Sequence, residues 1–238
     1  MPGDAVVLLS GGLDSSTVLA YAISIGYSVH ALSFDYGQRH KKELESGKKI
    51  AEYYGVDRKV MRVDMRALGG SALTDDINVP ERNLETISED IPVTYVPARN
   101  TIFLSIAAAY AETMNSNTIF IGANAIDYSG YPDCRPEYFN AMEKALSLGT
   151  KLGLERGVEI KVPLQYLSKA DIVRMGEKLK VPYDLTWSCY NGEDEACGRC
   201  DSCLLRLKGF MEAGYTDPIK YEKYPSFYTD YLKKRSMI

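Results

Sequence analysis

Four cysteines, Cys189, Cys197, Cys200 and Cys203, stand in the spacing C-x7-C-x2-C-x2-C. Four thiolates suit a tetrahedral zinc ion, and the short C-x2-C steps let neighbouring sulfurs reach one ion. An iron–sulfur cluster accepts the same ligand set. With every coordination position filled by protein, no place remains for water or substrate, so the chemistry expected is structural, one Zn2+ per chain. A second string, Ser10-Gly11-Gly12-Leu13-Asp14-Ser15-Ser16, combines two glycines with three hydroxyls. Such a turn at a helix start gathers unpaired backbone N–H groups, and the helix N-terminus adds about 0.3–1 kcal/mol for an anion. Ser10, Ser15 and Ser16 can donate further hydrogen bonds to it.

The string ends without the Gly-Lys-Ser/Thr of a Walker A loop, so the lysine that grips the γ-phosphate in ordinary ATPases is missing. It is not a GxSxG elbow either, which speaks against Ser10 as a nucleophile. Asp14, in the first turn of the helix, favours the helix dipole and can be purely structural.

The elements that must position these groups alternate in type. Strand-like runs fall at 5–9, 27–34, 58–63 and 118–122, and helical segments at 13–25, 39–54, 99–114, 136–149 and 169–180. The alternation predicts an α/β fold, a doubly wound and mainly parallel sheet. In the last helix Ser168 is the expected N-cap, and Ile172, Met175, Gly176 and Leu179 repeat as a buried face ahead of Pro182. Residues 65–98, with Gly69-Gly70, Pro80, Pro92 and Pro97, read as an irregular insert. The division expected is 1–188 for the nucleotide-binding domain and 189–238 for a cysteine-bearing segment, a helix and a Tyr-rich tail.

Ligands of open α/β sheets bind at the carboxyl ends of strands where strand order reverses. The loop after 118–122, GANAIDYSGYPDCRPE, holds Asp127, Asp133, Arg135 and Cys134 and is the candidate substrate segment; a solvated surface loop is the alternative. Asp127, Asp133 and Arg135 offer the donors and acceptors that a buried heterocycle needs. Cys134 has no evident base beside it and is a poor nucleophile candidate. His30 falls inside a strand-like run and reads as structural.

A formal charge of −4 and a pI near 5.4 argue against nucleic acid held mainly by electrostatics. The N-terminal apolar run is too short for a signal peptide and no segment approaches a membrane span, so a cytoplasmic setting is expected, where clustered cysteines bind metal rather than form disulfides.

The string SGGLDSS at the end of the first strand resembles the signature of PP-loop ATP pyrophosphatases. With FDYGQRH at 34–40, VPARN at 96–100, YPDCR at 131–135, SKADI at 168–172 and the cysteine cluster, the chain is similar to the 7-cyano-7-deazaguanine synthase family over about residues 5–221. The resemblance implies a five-stranded, adenine-nucleotide-hydrolase-like sheet with a zinc segment, and a cytoplasmic homodimer. It implies conversion of 7-carboxy-7-deazaguanine and ammonia to the nitrile, with ATP as co-substrate, Mg2+, and release of AMP and pyrophosphate.

By resemblance Ser10, Gly11, Gly12, Leu13, Asp14, Ser15 and Ser16 take the pyrophosphate, and Arg99 and Lys169 join Asp14 in catalysis. Arg39 and His40 could also act near the phosphates, with His40 as the start of a helix the alternative. Two other readings stay open: a PP-loop enzyme that thiolates or amidates tRNA, and a non-catalytic zinc module. The acidic stretch GEDEA weakens the module as a nucleic-acid binder, and it leaves SGGLDSS unexplained.

Overall fold

The computed structural model describes residues 2–38, 42–81, 84, 90–126, 130–192 and 194–236. The described elements run β1 (Asp4–Leu8), α1 (Leu13–Ser24), β2 (Ser28–Asp35), α2 (Lys42–Tyr54), β3 (Arg58–Arg62), α3 (Arg99–Thr113) and β4 (Thr118–Phe120). They continue as α4 (Pro136–Gly149), α5 (Lys151–Arg156), β5 (Glu159–Lys161), α6 (Lys169–Lys178), α7 (Asp201–Ala213) and α8 (Ser226–Arg235). Between β3 and α3 the described residues form turns and coil, as the glycines and prolines there predict.

All strands pair in parallel in the order β3-β2-β1-β4-β5. From β1 the chain winds outward to β2 and β3, then returns to β4 on the other side. The carboxyl ends of β1 and β4 therefore flank the switch point.

Side-chain alternation along β1 assigns the two faces. Val6 and Leu8 join Leu32, Phe103, Leu104, Ala107 and Phe139 in one core, which α3 and α4 cover. Ala5, Val7 and Leu9 join Val18, Leu19, Ile50, Ile172, Val173 and Phe210 in the other, covered by α1, α2, α6 and α7. Strands buried on both faces read as continuous apolar runs, which is why DAVVL carries no polar alternation.

A third cluster forms around the cysteines, with Trp187, Ala196, Leu207, Ile219, Tyr221 and Tyr228. Helix α7 serves both, since Phe210 lies in the second core and Leu207 in the third. A buried ion pair ties down the stretch after α7. Arg206 donates to Asp217 at 2.7 and 2.9 Å, to Thr186 Oγ1 at 2.8 Å and to the Tyr183 carbonyl at 3.1 Å. Tyr221 donates to the same carboxylate at 2.6 Å, and the Asp217 N–H to Tyr228 at 2.8 Å. Satisfaction of this kind is what lets a charge pair be buried without a large net penalty.

The Ser168 cap on α6 is present, its hydroxyl accepting from the Asp171 N–H at 3.2 Å. His30 has a structural partner, its Nε2 lying 3.3 Å from Asp4 Oδ1. The start anticipated for α2 at 39–41, with Arg39 and His40, lies outside the described residues. No helix among the described residues is long and apolar enough to cross a membrane.

Candidate active site and metal centre

The loop after β1 is braced from within. Ser15 Oγ accepts from the Ser10 and Gly11 N–H groups, both at 3.2 Å, and lies 3.3 Å from the Gly12 carbonyl, to which it donates. Ser10 Oγ accepts from the Gly12 N–H at 3.2 Å and sits 3.0 Å from Ser15 Oγ. Ser15 thus spends its hydroxyl largely on holding the loop, and Ser16 is buried beneath it. Ser10, Gly12, Leu13, Asp14 and Ser15 line the crevice.

Gly11 has φ +101°, and a Cβ there would fall 2.3 Å from both the Glu43 carbonyl and the Gly47 N of α2. The glycine is required twice over, for its backbone conformation and for the close approach of a helix. Gly11→Ala should lower stability by about 2–3 kcal/mol, a fall in Tm of roughly 5–10 °C, read by thermal unfolding of the metal-loaded protein. Gly122, just beyond β4, meets α1 in a similar way, since a Cβ there would stand 3.0 Å from the Ser15 N.

Lys169 opens α6 and reaches back across the switch point. Its Nζ lies 2.9 and 2.8 Å from the two oxygens of Asp14, and the residue is buried. Asn124 fixes this corner by donating to the carbonyls of Leu164, at 3.1 Å, and Leu167, just ahead of the Ser168 cap.

The opposite wall comes from the start of α3. Ala98 adopts a left-handed conformation, φ 54°, rare for a residue with a Cβ, and turns the chain so that Arg99 and Asn100 face the crevice. Burial pushes the Tyr36 hydroxyl up to about 12 and raises that of Tyr131, so both stay neutral around Arg99. Burial likewise raises the Glu43 carboxyl, against the opposing pull of Ser10 and Arg99. The Cys134 thiol is pushed up to about 12, chiefly by burial and then by Asp133, which leaves it protonated and a weak nucleophile.

Two residues read as substrate partners face elsewhere. Asp133 is buried, and its Oδ2 accepts from the Asn100 N–H at 3.1 Å, satisfying the first turn of α3. Arg135 is exposed and donates from Nε to the Pro132 carbonyl at 3.2 Å. Neither lines the crevice. Asp127 lies outside the described residues. The crevice, about 290 Å³, instead takes Tyr36, Asn100 and Tyr131, from the strings FDYGQRH, VPARN and YPDCR, together with Glu43, Trp187 and Ser188, which no string singled out.

The four cysteine sulfurs lie within 4.8 Å of one another and all four residues are buried. Cys197 and Cys203 have their sulfurs 4.0 Å apart, close to the roughly 3.8 Å edge of a tetrahedron with 2.3 Å metal–sulfur bonds. Cys189 Sγ also accepts backbone N–H groups from Asn191 at 3.4 Å, Gly192 at 3.0 Å and Cys197 at 3.2 Å. Its sulfur contacts with Cys197, Cys200 and Cys203 hold its thiol well below the ordinary range. The donor set therefore fits a metal ion, with supporting hydrogen bonds already in place.

A parallel sheet with SGGLDSS at its switch point, a lysine–aspartate pair beside it and four buried cysteines able to hold a metal ion together define a PP-loop α/β enzyme. The model of the family described as "Queuosine biosynthesis protein QueC" matches residues 4–214, and the chain belongs to that family. It is 75% identical to 7-cyano-7-deazaguanine synthase of Thermoplasma acidophilum over 231 residues, 97% of each chain. To the enzyme of the same name from Thermoplasma volcanium it is 72% identical over 234 residues, 98% of this chain and 97% of that one. Among solved structures, NMN synthetase from Francisella tularensis is similar at a TM-score of 0.48 and 15% identity, over 98% of this chain and 84% of that one.

Proposed function

We propose that the protein is an ATP-dependent carbon–nitrogen ligase that converts 7-carboxy-7-deazaguanine and ammonia to 7-cyano-7-deazaguanine, a queuosine precursor. The observation that carries this reading is the SGGLDSS loop at the switch point, with Asp14 and Lys169 paired at 2.8–2.9 Å and no Walker lysine. A loop that grips the terminal pyrophosphate leaves the α-phosphorus open to attack by an oxygen of the acid. Adenylation, rather than phosphorylation, follows from that grip.

In this reading the Gly12 and Leu13 amides and the Ser10 hydroxyl bind the β,γ-phosphates. Lys169 and Arg99 stabilise the charge that develops as pyrophosphate departs. Asp14 would hold the Mg2+ that accompanies ATP, which supplies charge neutralisation when bound. The acyl adenylate loses AMP to ammonia and becomes the amide. Attack of the amide oxygen on a second ATP, with loss of an N–H proton, gives an adenylated imidate that eliminates AMP to leave the nitrile. One loop serves both steps, and the deazapurine occupies the wall of Tyr36, Asn100 and Tyr131. A purine contact from Asp127 belongs to the same proposal, whereas Asp133 acts indirectly, by holding the Asn100 amide in place, and Arg135 stands outside the crevice.

Zinc is the metal this reading assigns to Cys189, Cys197, Cys200 and Cys203, within a C-terminal portion from 189 to 238 that follows the 1–188 nucleotide-binding domain. The family resemblance further implies a cytoplasmic homodimer.

Exchange of labelled pyrophosphate into ATP, in the presence of 7-carboxy-7-deazaguanine and without ammonia, tests the adenylation step. Exchange that requires the acid supports it. Exchange without the acid, or none while the nitrile still forms with ammonia, contradicts it.

A further inference from the structure

We propose that Ser188 is a pyrophosphate-binding residue, its hydroxyl carried to the phosphate loop by the cysteine cluster. This rests on reading the crevice as the ATP site. Ser188 lines that crevice although 175 residues separate it from Leu13, whose N–H points at Ser188 Oγ over 3.5 Å. That N–H belongs to the first turn of α1, one of the donors a helix leaves for an anion.

Gly12 shows how closely the hydroxyls gather. A Cβ built on it would lie 3.4 Å from Ser10 Oγ, 3.7 Å from Ser188 Oγ and 3.5 Å from the Trp187 carbonyl. Two serine hydroxyls, one from the loop and one from the far end of the chain, therefore flank one bare glycine. The contact from Leu13 is at the outer limit of a hydrogen bond, so it commits little of Ser188. A hydroxyl keeps its proton to donate when its oxygen accepts, and a phosphate oxygen is the acceptor that this arrangement of amides and hydroxyls suits.

Ser188 is held from both sides. The Trp187 N–H donates to the Gly11 carbonyl at 2.9 Å, and Cys189 is anchored by three N–H groups and its fellow cysteines. Through Leu13 and Gly12 the position belongs to the α1 end of the crevice, where the first-turn amide and the Ser10 hydroxyl converge. That makes phosphate rather than deazapurine the group it meets.

The test compares metal-loaded wild type, Ser188→Ala and Ser188→Thr for binding of ATP, inorganic pyrophosphate and AMP, with metal content measured alongside. Loss of one hydrogen bond to a charged group should weaken ATP and pyrophosphate by about ten- to a hundredfold in Ser188→Ala. AMP binding and metal content should hold, and Ser188→Thr should recover most of the affinity. Unchanged pyrophosphate affinity in Ser188→Ala would overturn the assignment, as would equal losses for AMP and pyrophosphate accompanied by loss of metal. Wild type with no affinity for ATP would instead strike at the ATP-site reading itself.

Discussion

With Lys169 replaced by Ala, acid-dependent pyrophosphate exchange slows by about 10²–10³-fold, the penalty typical of losing one preorganised charged donor at a developing anion. The geometry makes the effect large. Lys169 is buried, its ammonium is fixed at 2.8–2.9 Å from Asp14, and its stem packs against Gly209, where a Cβ would stand only 2.4 Å from Lys169 Cγ. A charge held so tightly needs little reorganisation during reaction. Lys169→Arg should rescue poorly, because the planar guanidinium has a different shape and α7 leaves no slack along the stem.

Stability should change far less. The Asp14 side chain keeps 29% exposure, so losing its partner costs about 1 kcal/mol and not the 3–5 kcal/mol of a fully buried pair. A variant that folds, binds metal and exchanges pyrophosphate at the wild-type rate would remove Lys169 from catalysis.

Metal removal is the second large effect. Structural zinc contributes about 10–16 kcal/mol in small peptide systems, which rivals the 5–15 kcal/mol net stability of a whole domain. The third core cluster is built around the four sulfurs, so without the ion its apolar residues must enclose mutually repelling thiolates or protonated, poorly paired thiols. Chelation should therefore unfold the cysteine segment before the parallel sheet. Trp187 is the sole tryptophan, buried in this cluster and joined to the Gly11 carbonyl, so its fluorescence should report the loss while far-ultraviolet dichroism keeps most of its signal. Activity should fall with the fluorescence change, because Trp187 and Ser188 are what the cluster lends to the phosphate loop. A metal-free protein with full activity and an unchanged tryptophan spectrum would contradict this.

The sequence was legible where local strings determine local structure. SGGLDSS sits at a strand-to-helix turn, the run AVVLL at 5–9 has the unbroken apolar character of a strand buried on both sides, and the cysteine spacing converges as expected. Short or weakly patterned elements were harder. Strand β5 has three residues with one apolar side chain, and α5 has six residues, too few for a helical period to show. Helix α8 buries only Tyr228 among its residues, so its pattern resembles a solvated tail.

The crevice was half legible. Lys169 and Asp14 meet across 155 residues, as do Ser188 and Leu13 across 175, and no spacing rule reaches so far. For Asp133, a carboxylate in a polar loop looks the same on paper whether it meets a ligand or, as here, the Asn100 amide. Glu43 enters the crevice through the packing of α2 against the loop at Gly11, a tertiary arrangement rather than a motif.

The central claim is that the acid's own oxygens are removed by adenylation at one phosphate loop. The direct measurement supplies the protein with ATP, Mg2+, ammonium and 7-carboxy-7-deazaguanine bearing oxygen-18 in both carboxylate positions, and follows all products by mass spectrometry. The account predicts the nitrile together with pyrophosphate and two AMP per nitrile, each AMP carrying a single labelled oxygen. Label in inorganic phosphate alongside ADP, or consumption of ATP with no nitrile, would contradict it.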